Sequence, residues 1–178
     1  MNKRTSEALK RFDASQGPRK LGSRDGKVLP GVRFMTWAEE TGGGFSLLEH
    51  PIPPHTLAAP LHRHSREDEY SFVVEGRMGA LLGDDIILAE AGELAFKPRD
   101  QWHAFWNPDP TPCRILEIIS PGGFERFFDE LPSLMSRPGF TPTDITKLGK
   151  LYGLEFKPES VPKLCADHGL NGTLLRLG

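Results

Sequence analysis

The feature that most constrains the fold is a series of short apolar runs, none long enough for a helix, set between closely spaced turn residues. The runs are Val32 to Trp37, Phe45 to Glu49, Tyr70 to Val74, Met78 to Leu82, Ile86 to Leu88, Leu94 to Phe96, His103 to Trp106 and Arg114 to Ile119. Between them stand Thr41 to Gly44, Pro51 to Pro54, Gly76, Gly83 to Asp85, Gly92, Pro98 and Asn107 to Pro110. Eight short strands at this spacing predict an antiparallel sandwich or barrel, an all-β body. The punctuation draws on 19 Gly and 16 Pro among 178 residues, both poor helix formers, which argues against a helical bundle.

Beyond Ser120 the periodicity changes. Phe124, Phe127, Phe128 and Leu131 fall at the spacing of one helical face, with Pro132 and Pro138 as expected punctuation. A second helical pattern covers about Thr143 to Tyr152, and a third about Glu159 to His168. The expected organisation is an N-terminal basic arm over residues 1–30, a β-barrel over 31–120 and a short helical extension over 121–178. Eight of the 22 Lys/Arg lie within the first 27 residues against three of the 24 Asp/Glu, so a basic arm precedes an acidic body. The arm is either a solvated tail or a segment that packs on another subunit or an acidic partner. A net charge of −2 gives no reason to expect nucleic acid or a membrane surface as partner. Neither a signal-peptide core nor a membrane-length apolar run is present, so a cytoplasmic protein is expected. Cys113 and Cys165 have no metal-binding or disulfide-framework spacing and read as inert thiols.

The chemistry is concentrated in His62-Arg63-His64. On an extended strand the two imidazoles share a face and can approach one ion. After the polar turn Ser65 to Asp68, Glu69 can re-enter that face, and His103 heads a distant aromatic strand. Three imidazoles and one carboxylate would leave one or two positions of a divalent ion open for water, O2 or substrate. That donor set suits Fe, Mn, Ni, Cu or Zn without choosing among them. The bland alternative is a relic barrel that has lost its metal, or a set of satisfied polar residues.

These residues resemble the two motifs of the cupin superfamily. His62, His64, Glu69 and Gly76 match the first, and Gly92, Pro98, His103 and Asn107 match the second. Two turn glycines of the pattern are replaced, by Thr56 and Asp100; Asp tolerates the left-handed backbone such a turn needs. The resemblance implies a double-stranded β-helix, or jelly-roll barrel, with His62, His64, Glu69 and His103 as metal ligands, and a homodimer. The stretch Ser120 to Phe128 is also similar to small single-domain cupins of the quercetin-dioxygenase-like kind.

Alternation from the ligands names the pocket candidates. Ser71 and Val73 share a face with Glu69, Phe105 shares one with His103, and Asp100 stands by the rim. Glu117 interrupts an apolar strand and is either a pocket acid or a solvent-facing residue. His50, His55 and His168 read as loop or surface histidines. The function implied first is a metal-dependent dioxygenase acting on a small enol- or flavonol-like substrate, with Glu69 able to accept a substrate proton. The alternatives are a non-oxidative cupin (isomerase, cyclase or decarboxylase) using Asp100 or Glu117 as proton carrier, and a non-catalytic binding module.

Overall fold

The computed structural model describes residues 20–175, so most of the expected basic arm lies outside the described residues. The strands in chain order are β1 (Lys27–Leu29), β2 (Val32–Thr36), β3 (Ser46–Ile52), β4 (Thr56–Leu57), β5 (Leu61–His64) and β6 (Asp68–Glu75). They continue with β7 (Arg77–Leu82), β8 (Asp85–Glu90), β9 (Leu94–Lys97), β10 (His103–Asn107), β11 (Cys113–Ser120) and β12 (Leu154–Lys157). One sheet runs β1-β2-β3-β11-β6-β9 and the other β12-β5-β10-β7-β8, with β4 attached to β10. The strand pairs within them are antiparallel, and the architecture is the expected all-β jelly roll.

Register determines what the barrel encloses, because residues directly opposite one another share a face. In the first sheet Ser46, Ile119, Glu69 and Lys97 make one inward row. Leu48, Glu117, Ser71 and Ala95 make the next, and His50, Ile115 and Val73 the third. In the second sheet His103 stands opposite His62, which stands opposite Phe156. Outward residues of β6, β8 and β9 are apolar and exposed, notably Phe72, Ile86, Leu88, Leu94 and Phe96.

The sheet extends past both expected domain limits. β1 precedes residue 31 and pairs with β2, and β12 arises inside the expected helical extension and pairs with the histidine-bearing β5. Both pieces are too short for periodicity to announce them; their partners supply the register.

The helices are α1 (Glu125–Met135), α2 (Pro142–Leu151) and α3 (Val161–His168). α1 runs through Pro132 rather than ending there. An internal proline costs about 3 kcal/mol. Against that cost, Phe124 and Phe127 are buried with Val32, Phe34, Ile119 and Leu154, and Phe128 and Leu131 pack on the same cluster. α3 covers the outside of the second sheet, where Leu164 packs on Trp106 and His168 stacks on its ring at 4.1 Å between centres. Among the described residues no helix is long and apolar enough to cross a membrane.

Gly76 marks a close crossing of the chain. Its φ is 74°, and a Cβ there would lie 2.6 Å from the Pro112 carbonyl oxygen. Gly76→Ala is therefore expected to lower the unfolding free energy by about 1–3 kcal/mol. Denaturant unfolding checks this, and a midpoint equal to wild type contradicts it.

Candidate metal centre

His62 and His64 project inward from β5, His103 heads β10, and Glu69 reaches across from β6 in the facing sheet. One donor atom from each lies within 4.8 Å of the others, and all four residues are buried. The structure thus brings together the four residues that the sequence singled out as candidate ligands.

The orientation of the imidazoles is set by the backbone. His62 Nδ1 lies 2.8 Å from the Pro60 carbonyl oxygen and His103 Nδ1 lies 3.1 Å from that of Gln101. A carbonyl can only accept, so each Nδ1 carries the proton and each Nε2 keeps its lone pair. His64 differs, with Nδ1 standing 3.7 Å from the buried carboxylate of Glu67. Burial, reinforced by the neighbouring histidines, lowers the His62 pKa well below the ordinary imidazole value. Burial also lowers that of His103, with Glu69 opposing. The neutral form that results is the one able to coordinate a metal.

Fit to a cation can be tested on the donors themselves. His64 Nε2 and His103 Nε2 are buried without a hydrogen-bond partner, yet they face Glu69 oxygens at 3.4 and 3.2 Å. The lone pair that the Nδ1 proton leaves on His103 Nε2 repels the Glu69 carboxylate at that distance unless a cation lies between them. Burial alone would push the Glu69 carboxyl up, but Lys97, His64 and His103 together hold it well below the usual carboxylate range. The donors therefore fit a divalent ion, and nitrogen and carboxylate donors together leave its identity open.

The centre opens onto a cavity of about 550 Å³. Its wall is mainly apolar, with Phe105, Phe124, Phe128, Leu131, Met135 and Phe156 prominent. Polar groups reach it from His50, His62, His64, Glu69 and Glu117. Of the pocket residues expected from alternation, Phe105 and Glu117 line this cavity, whereas Ser71, Val73 and Asp100 do not. Val73 lies four residues along the strand from Glu69, about 13 Å at strand rise, and packs in the core with Met78 and Ile115. Ser71 sits behind the wall and donates to the Glu117 carboxylate at 2.9 Å. Asp100 keeps the left-handed turn, with φ of 64°, and its amide donates to the His64 carbonyl, but the residue is exposed.

Three participants escaped the sequence reading. Lys97 is wholly buried, with Nζ 2.9 Å from both Glu69 Oε2 and Glu117 Oε2. Its signal was a lone cation on the inward parity of β9. His50 is buried rather than a loop residue, since β3 extends to Ile52, and its Nδ1 donates to the Gly31 carbonyl at 2.9 Å. Phe156 enters through β12.

Glu117 is inward. Burial, with repulsion from Glu69 and against the pull of Lys97, raises its pKa to about 7. A raised carboxyl pKa means the folded chain binds that proton more tightly than the unfolded chain. The resulting stability is fully present below the ordinary value of 4.5 and is lost as pH rises through about 7. Metal-free wild type is therefore expected to lose stability relative to Glu117→Gln across that interval. Parallel stability curves for the two proteins from pH 4.5 to pH 7 contradict the assignment.

A double-stranded β-helix carrying His-x-His, Glu and a distant His on facing strands is a barrel whose interior offers four donors that could hold a metal ion. Residues 49–119 match the family model described as Cupin domain. No curated protein matches the chain. Among solved structures, an RmlC-like cupin from Shewanella frigidimarina is 19% identical over 58% of this chain and 89% of its own, with a TM-score of 0.47. KdgF from Halomonas sp. is 16% identical over 65% of this chain and 96% of its own, with a TM-score of 0.46. A predicted oxalate decarboxylase from Thermotoga maritima is 19% identical over 51% of this chain and 78% of its own, with a TM-score of 0.45.

Proposed function

We propose that this chain is a metal-dependent cupin enzyme, a dioxygenase acting on a small, largely apolar enol- or flavonol-like molecule. The observation that carries the reading is the cluster of four donors, of which His62, His64 and Glu69 line an aromatic-walled cavity of about 550 Å³. A divalent ion held by His62, His64, Glu69 and His103 would supply Lewis-acid polarisation of a substrate oxygen. The chain's own residues do the rest. Phe105, Phe124 and Phe128 favour a flat apolar body and exclude water, which strengthens every electrostatic contact at the polar end. Glu69 can accept the enol proton at a carboxylate oxygen, and incorporation of both atoms of O2 requires no external reductant.

A second reading is favoured by one observation, the Glu117 carboxyl on the wall with its pKa near 7. A group that can both give and take a proton at neutral pH suits a non-oxidative isomerase, cyclase or decarboxylase. One experiment separates the two. Wild type and His62→Ala are loaded anaerobically with Fe, Mn, Ni, Cu or Zn, given flavonols and β-diketones, and then exposed to air. Oxygen uptake by wild type and its loss, with the metal, in His62→Ala is expected. Turnover that needs no O2 selects the second reading, and no uptake with any of the metals sinks the first.

The homodimer is likewise a proposal. β9 ends one sheet and β8 the other, opposite the edges formed by β1 and β12, and Ile86, Leu88 and Leu94 on them are 59%, 55% and 55% exposed. Exposed apolar edge strands invite pairing, and a second copy offers the same edges in return. Light scattering is expected to give twice the chain mass, and Leu88→Lys with Leu94→Lys to give the monomer.

A further inference from the structure

Lys97 stands beside Pro98 of the second motif, yet neither motif gives it a part. Its side chain is 0% exposed, bridges Glu69 and Glu117, and lies with its ammonium 4.4 Å from the centre of the Phe105 ring. A lysine buried this completely is costly unless its donors meet negative partners, and here the partners are one candidate metal ligand and one carboxyl of the cavity wall.

We infer that Lys97 is a positioning residue of the metal centre. By engaging Oε2 of Glu69 with a positive charge it confines that ligand to contact through its other oxygen, and it holds affinity for divalent metal below what the same four donors would otherwise give. This rests on reading the cluster as a metal centre. The geometry supports each part. Glu69 Oε2 is shared between Lys97 at 2.9 Å and His103 Nε2 at 3.2 Å, while Oε1 faces His64 Nε2 at 3.4 Å. A carboxylate oxygen that spends a lone pair on an ammonium is a poorer donor to an ion, which favours contact through the other oxygen. The ammonium and a divalent cation also repel through an interior where neither water nor salt screens them. Glu117 moderates that repulsion by drawing the ammonium away from Glu69. A ligand held through one oxygen leaves more of the coordination sphere for substrate.

The competing account is that Lys97 only neutralises two buried carboxylates. It predicts the opposite sign, because removing Lys97 would then loosen Glu69 and weaken metal binding. Wild type, Lys97→Met and Glu117→Gln are titrated with Mn(II) and Zn(II) against a chromophoric chelator, and the Mn(II) electron paramagnetic resonance spectrum is recorded for each. Lys97→Met is expected to bind at least about tenfold more tightly, with an altered spectrum, since it removes a unit charge beside the ion. Glu117→Gln is expected to bind several-fold more weakly, because Glu69 is then the one negative charge left to face the ammonium. Its near-isosteric amide still accepts from Lys97, so this arm stands even where the Met variant fails to fold. A folded Lys97→Met that binds no more tightly than wild type, or a Glu117→Gln of unchanged affinity, overturns the role given to Lys97 alone. A wild type that takes up neither metal overturns it together with the metal-centre reading.

Discussion

The interior of this barrel depends on the register of β6 between β11 and β9, which sets Glu69 opposite Lys97 and Ser71 opposite Glu117 on one inward face. A slip of one residue would turn Glu69 and Ser71 to solvent and bring Tyr70 and Phe72 inside. The charge cluster and the register therefore secure each other. Two carboxylates and one ammonium are buried together, and breaking such a set by removing one member typically costs about 3–5 kcal/mol. Lys97 meets both carboxylates at once. With one positive charge for two acids, the acids differ: Glu69 is held well below the usual carboxylate range beside Lys97, and the pKa of Glu117 is raised to about 7.

The parts outside the cupin segment complete the site. α1 brings Phe124 and Phe128 to the cavity, and Phe124 meets the His64 ring edge-on at 4.4 Å between centres. β12 brings Phe156 beside His62. At the other end of the sequence, Leu29 to Val32 join the wall and the Gly31 carbonyl fixes His50. A polar cluster thus opens into an apolar chamber, where each charge acts more strongly than it would in water.

Much of this was legible in the residues. The eight runs between turn residues correspond to β2, β3 and β6 to β11, because alternation and punctuation are local properties of the chain. His62 and His64 could be placed on one face by the period of a strand alone, and Asp100 in a left-handed turn by its short polar side chain. Other features resisted for physical reasons. Hydrophobicity would place Leu94 and Phe96 inside and Lys97 outside. Pairing with Glu69 reverses that face, since a buried acid needs a buried cation more than the barrel needs two further apolar side chains. Pro132 reads as a helix end, and packing of the phenylalanine stripe carries the helix past it.

The sequence by itself determined the all-β body, the shared face of His62 and His64 and the aromatic stripe beyond Ser120, because each is written in spacings of a few residues; Glu69 and His103 joined the histidine pair through the resemblance to two separated motifs. Only the tertiary structure decided that Glu117 and His50 face the cavity, that Lys97 joins Glu69 to Glu117, and that Val73 lies in the core. Those outcomes depend on which residue stands opposite which across strands 22 to 73 positions apart in the chain. Spacing along one strand fixes a side, but only the partner strand fixes the neighbour.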